Sequence, residues 1–196
     1  MEDRIRNLFG ASIEFKSMAA ELLSEDIAKT TTILVNSLLN NGKILLCGNG
    51  GSAANCMHFS TALLNHFEGE RPGLPVIALT DAIGVLTALS QEGHADQFFA
   101  RQIQALGQSN DVLLILTSTG NPMNLLNAVH AAHEQGMDVI ALSGRDGGIL
   151  ASHLGPEDIE LRAPGDTAAQ IREIHLFVLH CFCDLIDRSL FNQLQG

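Results

Sequence analysis

Lys43–Leu64, KILLCGNGGSAANCMHFSTALL, has the pattern of a strand, a glycine-rich turn and a helix. Its apolar residues Ile44–Cys47 form the short hydrophobic run that is typical of a strand buried on both faces of a parallel sheet. Gly48–Ser52 turns the chain, because glycine adopts backbone conformations that a Cβ atom would block. A helix that begins near Ala53 directs its free N–H groups and positive dipole end at this turn, so the sequence predicts an anion site.

The rest of the chain repeats this alternation of strand and helix. The predicted strands are Lys43–Cys47, Pro75–Leu79, Asp111–Leu116, Asp138–Leu142 and Asp158–Leu161. Helices lie between them, and a long final helix is predicted from about Thr167 to Leu190. The alternation predicts a parallel sheet with helices on both faces. Because no repeat, low-complexity segment or linker interrupts it, we expect a single domain over residues 1–196, with the sheet and its helices in residues 43–196.

Residues 1–42 precede the sheet and form a helical arm. Apolar residues recur at helical spacing from Ile5 to Leu23, and a second set runs from Ile27 to the stop at Asn41-Gly42. We therefore expect two helices. Their apolar stripes exceed what one sheet edge covers, which predicts a homo-oligomer closed by twofold symmetry. The alternative is that both helices pack on their own sheet.

The composition is that of an ordinary globular protein and excludes a disordered chain. Of the 196 residues, 46% are hydrophobic and 17% are charged, and neither Trp nor Tyr is present. A net charge of -11 disfavours direct binding of nucleic acid, because phosphate repels an acidic surface. No segment resembles a membrane span or a signal peptide, and the four cysteines lack zinc-site spacing. We expect a cytoplasmic protein with reduced thiols and no membrane partner.

A second loop of the same kind follows the predicted strand Asp111–Leu116. Its hydroxyl-rich sequence Thr117–Asn121 leads into a helix that opens at Pro122, where proline is favoured. In an open parallel sheet, loops at the carboxyl ends of neighbouring strands face one crevice at the switch point. The two loops together therefore predict a phosphate-binding crevice. The alternative is that both are tight turns that bind nothing.

Two other nucleotide-binding patterns were compared with the first loop. Gly48-x-Gly50-x-x-Ala53 matches the dinucleotide fingerprint, but the acid that should hold the ribose is Asp81, later than the usual spacing. No Gly-Lys-Ser or Gly-Lys-Thr sequence is present, which excludes a P-loop.

Four motifs in order along the chain resemble the sugar isomerase (SIS) family. They are CGNGGSAANCMHF at Cys47–Phe59, LTSTGN at Leu116–Asn121, ALSGRDGG at Ala141–Gly148 and REIHLFVLH at Arg172–His180. With the C-terminal segment, the resemblance covers essentially the whole chain. It implies a flavodoxin-like, doubly wound five-stranded parallel sheet and a homotetramer.

The resemblance also implies a set of ligand contacts. The expected residues for the phosphate and sugar are Asn49, Gly50, Gly51, Ser52, Thr117, Ser118, Thr119 and Asn121. We also expect Arg172, which departs from the family pattern, to add a fixed positive charge near the crevice. Pro122 stands where the isomerases of the family have a phosphate-contacting serine, and Ala169 where they have an aspartate.

The phosphoheptose isomerases of this family carry a histidine and, four residues later, a glutamate, with a glutamine and a histidine on the last helix. These four side chains serve catalysis and hold zinc. His58 and His180 match the two histidines, whereas Ala62 replaces the glutamate and Arg172 replaces the glutamine. Alanine supplies no base, a contribution of about 10²–10⁴-fold, and arginine cannot bind zinc. We therefore expect a non-enzymatic protein without cofactor or metal, in which both histidines are vestigial.

Two alternatives keep the enzyme active. His180 acts alone as the catalytic residue, or a neighbouring subunit lends a carboxylate such as Glu173 or Glu92. Zinc is expected only if the isomerase interpretation holds.

The C-terminal segment Cys181–Phe191 and the loop Gly69–Leu79 resemble the DnaA initiator-associating branch of the family. That branch presents a Leu-Phe pair to DnaA, and Leu190 and Phe191 match it. The main prediction is therefore a tetrameric DnaA-binding protein that promotes initiation of chromosome replication and retains a vestigial sugar-phosphate crevice. The alternatives are a phosphoheptose isomerase acting on sedoheptulose 7-phosphate for lipopolysaccharide synthesis, and a sugar-phosphate sensor. Leu190 and Phe191 would then cap the last helix against the core.

Overall fold

The computed structural model describes residues 1–191. The helices are α1 Glu2–Leu39, α2 Gly51–Leu64, α3 Ile83–Gln91, α4 Phe98–Leu106, α5 Met123–Glu134, α6 Gly148–Ala151 and α7 Ala168–Phe191. The strands are β1 Ile44–Gly48, β2 Val76–Ala78, β3 Val112–Leu116, β4 Asp138–Gly144 and β5 Ile159–Ala163. Each strand lies within two residues of its predicted bounds.

The five strands form one parallel sheet in the order β2-β1-β3-β4-β5. This is the flavodoxin-like order, so the predicted fold is confirmed. The chain moves outward in one direction from β1 to β2 and in the other from β3 to β5, so the switch point lies between β1 and β3. The carboxyl ends of these two strands, Gly48 and Leu116, are register partners.

Side chains alternate between the two faces of the sheet and divide the core in two. Ile44 and Leu46 of β1 pack with residues of α1, α2 and α7, whereas Leu45 and Cys47 pack with residues of α4 and α5. Both faces are therefore covered by helices, which explains why the central strands β1 and β3 are fully buried apolar runs.

The prediction of two helices in the N-terminal arm is wrong, because α1 is one continuous helix. No glycine or proline lies between Leu23 and Ile27 to end the first helix. The Ser24 hydroxyl donates to the Ala20 carbonyl, and the Glu25 carboxylate pairs with Lys29 at i,i+4. Ser24 and Glu25 are therefore both accommodated within the helix.

The N-terminal part of α1 leaves apolar side chains in solvent. Ile5, Leu8, Phe9 and Ile13 are all exposed, and Phe9 is 69% exposed. This stripe is the surface on which the prediction of a homotetramer depends, and that prediction stays open. Among the described residues, no helix is long and apolar enough to cross a membrane.

Candidate functional site

The first loop joins β1 to α2 at the switch point. Gly50 precedes α2 with φ of 56°, a conformation that favours glycine. A Cβ atom on Gly48 would lie 2.9 Å from the Leu116 carbonyl oxygen, so the base of this loop closely approaches the end of β3. The Ser52 N–H donates to the Asn49 carbonyl over 3.0 Å, which leaves fewer backbone donors for an anion than the sequence suggested.

Arg172 adds a positive charge beside this loop. A Cβ atom on Gly51 would lie 2.7 Å from Arg172 Nε, so the guanidinium end of the side chain lies against the start of α2. The Asn55 side chain donates to the Arg172 carbonyl over 3.0 Å and fixes this part of α7 against α2. A permanent cation therefore stands next to the predicted anion loop, where its charge adds to the positive potential that the helix N-terminus offers an anion.

The second loop joins β3 to α5 on the other side of the switch point. The Thr117 hydroxyl accepts hydrogen bonds from the N–H groups of Thr119 and Gly120 over 3.4 Å and 3.0 Å. The Asn121 carboxamide oxygen accepts the Ile149 N–H over 3.1 Å. Thr117 and Asn121 therefore hold the loop in shape, while the predicted ligand contacts Ser118 and Thr119 are half-buried.

A reciprocal pair of amides connects the two loops. The Asn49 and Asn124 side chains donate to each other, with both N···O distances at 2.9 Å. Asn124 was not identified from the sequence, because nothing in one-dimensional spacing indicates that the start of α5 lies beside a residue 75 positions earlier.

Two imidazoles meet farther along the crevice, between α2 and α7. The Nε2 atoms of His58 and His180 are 2.9 Å apart, and the Phe67 ring lies 5.5 Å from the His180 ring, centroid to centroid. Burial, and then the neighbouring His58, lower the pKa of His180. Facing nitrogens at this distance must share one proton, because two N–H groups would repel. The pair therefore combines one hydrogen-bond donor with one acceptor.

The helix position that bears glutamate in phosphoheptose isomerases is filled by a buried methyl group. Ala62 is 7% exposed, and its carbonyl accepts a hydrogen bond from Arg71 over 2.9 Å. Glu173, one of the two carboxylates considered as a catalytic base, is hydrogen-bonded to α1 of its own chain. Lys16 and Ser12 both donate to its Oε1 atom over 2.5 Å. The hydrogen bond from Lys16 is the largest cause that lowers the pKa of Glu173. Glu92 is exposed at the end of α3.

The donor set does not fit a zinc ion. Within residues 1–191, no three His, Cys, Asp or Glu side chains are grouped closely enough to hold a metal. His58 and His180 are hydrogen-bonded to each other, and the two further family positions carry Ala62 and Arg172. Structural zinc sites have four ligands and catalytic sites three, so two imidazoles are too few.

Leu190 and Phe191 lie at the end of α7, half-buried against the core. The Arg71 guanidinium lies 5.8 Å from the Phe191 ring centroid, and Arg71 Nε is 2.6 Å from Asp187 Oδ1. This arrangement fits the alternative in which the pair caps the last helix.

His175 is a buried residue for which no role was predicted. Its side chain is 1% exposed, and Nε2 donates to the Ser143 carbonyl over 2.8 Å. Burial is the main reason that its pKa is lowered to about 4, and Arg172 contributes in the same direction. Nδ1 has no partner among the described residues, so the ring is neutral and connects α7 to β4 through its single hydrogen bond.

Comparison with known proteins identifies the family. The SIS domain profile matches residues 9–144 of this chain. A phosphoheptose isomerase of Halorhodospira halophila is 50% identical over 189 residues, which are 96% of each chain. A phosphoheptose isomerase of Shewanella loihica is 47% identical over 98% of each chain. The solved structure of a phosphoheptose isomerase from Francisella tularensis superposes with a TM-score of 0.91 at 45% identity, covering 95% of this chain and 97% of that one.

These findings contradict the prediction of a DnaA-binding replication regulator. Relatives that are 47–50% identical over nearly the whole chain are named phosphoheptose isomerase, and this favours the alternative that the sequence left open. The expectation of a non-enzymatic protein has no support from these relatives either. The chain belongs to the SIS domain family.

Proposed function

We propose that the chain is a phosphoheptose isomerase that interconverts sedoheptulose 7-phosphate and the corresponding aldose phosphate. The observation that carries this proposal is the His58–His180 pair, which lies on α2, the helix that follows the first loop, and on α7, the helix that carries Arg172. The names of the relatives over nearly the whole chain support it.

The separation between Arg172 and the His58–His180 pair fits an extended sugar phosphate. Arg172 lies against Gly51 at the start of α2, and His180 contacts His58 two turns farther along. At 1.5 Å per residue, Gly51 and His58 are separated by about 10 Å along the axis of α2. A ligand whose phosphate is bound by the loops would then extend its other end toward the imidazoles.

The imidazole pair offers the proton transfers that this reaction needs. Ketose–aldose isomerisation removes a proton from C1, passes through an enediol and returns a proton to C2, while a hydroxyl proton moves between O1 and O2. A lowered pKa keeps His180 neutral near pH 7, so its ring accepts a proton. His58 holds that ring in place through the 2.9 Å contact. Without a carboxylate, we expect slow turnover.

A turnover assay tests this proposal. Conversion of sedoheptulose 7-phosphate should be abolished by His180→Ala and reduced by His58→Ala, with phosphate binding retained in both variants. Because the donor set does not fit zinc, chelation should leave the rate unchanged. A wild-type protein that binds the sugar phosphate but never converts it would refute the isomerase proposal.

That outcome would favour a second candidate function, a sugar-phosphate sensor. The observation behind it is Ala62, since the crevice retains both loops and Arg172 but has no carboxylate at this position.

The proposal also includes a homotetramer in the cytoplasm. The exposed stripe Ile5, Leu8, Phe9 and Ile13 of α1 supports self-association, because large apolar patches are rarely left in water. The four cysteines are free thiols, and three are buried, as is usual in a reducing compartment.

A further inference from the structure

The two loops that flank the crevice are fixed to different parts of the molecule. The first loop lies against Arg172 of α7. The second is tied to α6, because the Gly120 carbonyl accepts the Leu150 N–H over 2.9 Å and Asn121 accepts the Ile149 N–H. Beyond the ends of β1 and β3, the relative position of the loops therefore depends on contacts across the crevice.

Asn49 and Asn124 supply such a contact. Their reciprocal hydrogen bonds join the first loop to the start of α5, which directly follows the second loop. Asn49 lies in the turn before α2, and Asn124 is in the first turn of α5. The pair is therefore placed at the N-terminal ends of both helices, where an anion would bind.

The Asn49–Asn124 pair, which we call the brace, carries no net charge. In a reciprocal amide pair, each carboxamide uses one N–H and one oxygen lone pair, and the second N–H of each remains free. The pair thus adds donors and no negative charge beside the backbone N–H groups. A carboxylate in the same place would repel phosphate.

We propose that Asn124 is a positioning residue for sugar-phosphate binding, because its amide holds Asn49 and fixes the separation of the two loops. The inference rests on the proposed function for the identity of the ligand. When the hydrogen-bond donors of a site are already in place, less free energy is spent on ordering them as the ligand binds. Loss of the brace therefore weakens binding.

Calorimetry with inorganic phosphate and with sedoheptulose 7-phosphate tests whether the Asn49–Asn124 contact contributes to ligand affinity. One lost hydrogen-bonded contact corresponds to a weakening of about three- to tenfold, which is expected for Asn124→Ala with both ligands. Asn49→Ala, Asn124→Ala and the double variant complete a cycle. Because both residues act as one unit, the double variant should bind no more weakly than Asn49→Ala. In turnover, KM should rise while kcat is retained.

Asn127→Ala is the matched control. Asn127 lies on the same helix, but its amide donates to Asp96 and not to the first loop. Its loss should leave both affinities unchanged. Hydrogen exchange of the ligand-free protein adds an independent measurement: Asn124→Ala should speed exchange at Gly50–Ser52 and at Thr119–Gly120, and Asn127→Ala should not.

The outcomes separate this inference from the proposed function. If the wild type turns over no sugar, but Asn124→Ala weakens phosphate binding and speeds loop exchange, the isomerase proposal fails and the brace stands. Wild-type affinity in Asn124→Ala, or single-variant effects that add in the double variant, would overturn the brace. A wild type that binds neither ligand would overturn both.

Discussion

Acidification should destabilise this protein through His175. In the folded state its pKa is lowered to about 4 from an ordinary value of 6.5, because burial penalises the charged ring. Folding therefore favours the neutral form. The full contribution of the neutral ring is present above pH 6.5, and it is lost as the pH falls from 6.5 towards 4.

The size of the effect follows from these two pKa values. At pH 5 the unfolded chain binds a proton at this residue almost completely, and the folded chain binds almost none. The linkage relation then gives a loss of about 2 kcal/mol in the free energy of unfolding between pH 7.5 and pH 5.

Urea denaturation at the two pH values measures this loss. The control is His175→Gln, because a glutamine amide donates to the Ser143 carbonyl as Nε2 does but takes up no proton. The variant is expected to lose about 2 kcal/mol less than the wild type over the same interval, whatever its stability at pH 7.5. Equal losses in the two proteins would show that His175 does not titrate as its burial indicates.

Three further predictions concern the site, the second loop and the arm. Ala62→Glu should raise isomerase turnover by about 10²–10⁴-fold, and the matched Ala62→Gln, which supplies no base, should leave the rate unchanged in the same assay. Gly120→Ala should lower the midpoint of thermal unfolding by the equivalent of about 1–3 kcal/mol, because Gly120 has φ of 66° and a Cβ atom would overlap the Gly147 carbonyl. Gly50→Ala, with φ of 56° and open space around it, should cost less; an equal cost would refute the steric argument. Phe9→Glu should shift the proposed tetramer to smaller species in sedimentation velocity, whereas Glu14→Gln on the same helix should not.

The central strands β1 and β3 could be predicted from the sequence because each is a short apolar run between turn residues. Lys43–Cys47 was expected and Ile44–Gly48 is observed, and the parallel order followed from the alternation with helices. Two helices were expected in the N-terminal arm because its apolar residues form two sets, one ending at Leu23 and one beginning at Ile27. Polar residues alone do not end a helix when their side chains bond within it, so the segment continues as α1.

Some parts of the site could be predicted from neighbouring residues in the sequence, whereas others depend on residues far along the chain. The loops at Gly48–Ser52 and Thr117–Asn121 were visible because glycines and hydroxyls are clustered in sequence. His175 and Asn124 were not visible, because each takes its role from a partner far along the chain. Ser143 is 32 positions from His175, and no spacing within one helix indicates their contact.

Arg172 beside the first loop and the imidazole pair lie at different levels of α2 and α7. Arg172 lies at the level of Gly51, and His180 lies at the level of His58, about 12 Å farther along α7 at 1.5 Å per residue. Ala62 is one further turn along α2, and its carbonyl bonds Arg71, which is outside the loops. An alanine at this position therefore removes a base without removing any loop contact. Under the proposed function, affinity for phosphate and the rate of isomerisation are expected to depend on separate residues, so a substitution in one group should change its own property while the other is retained.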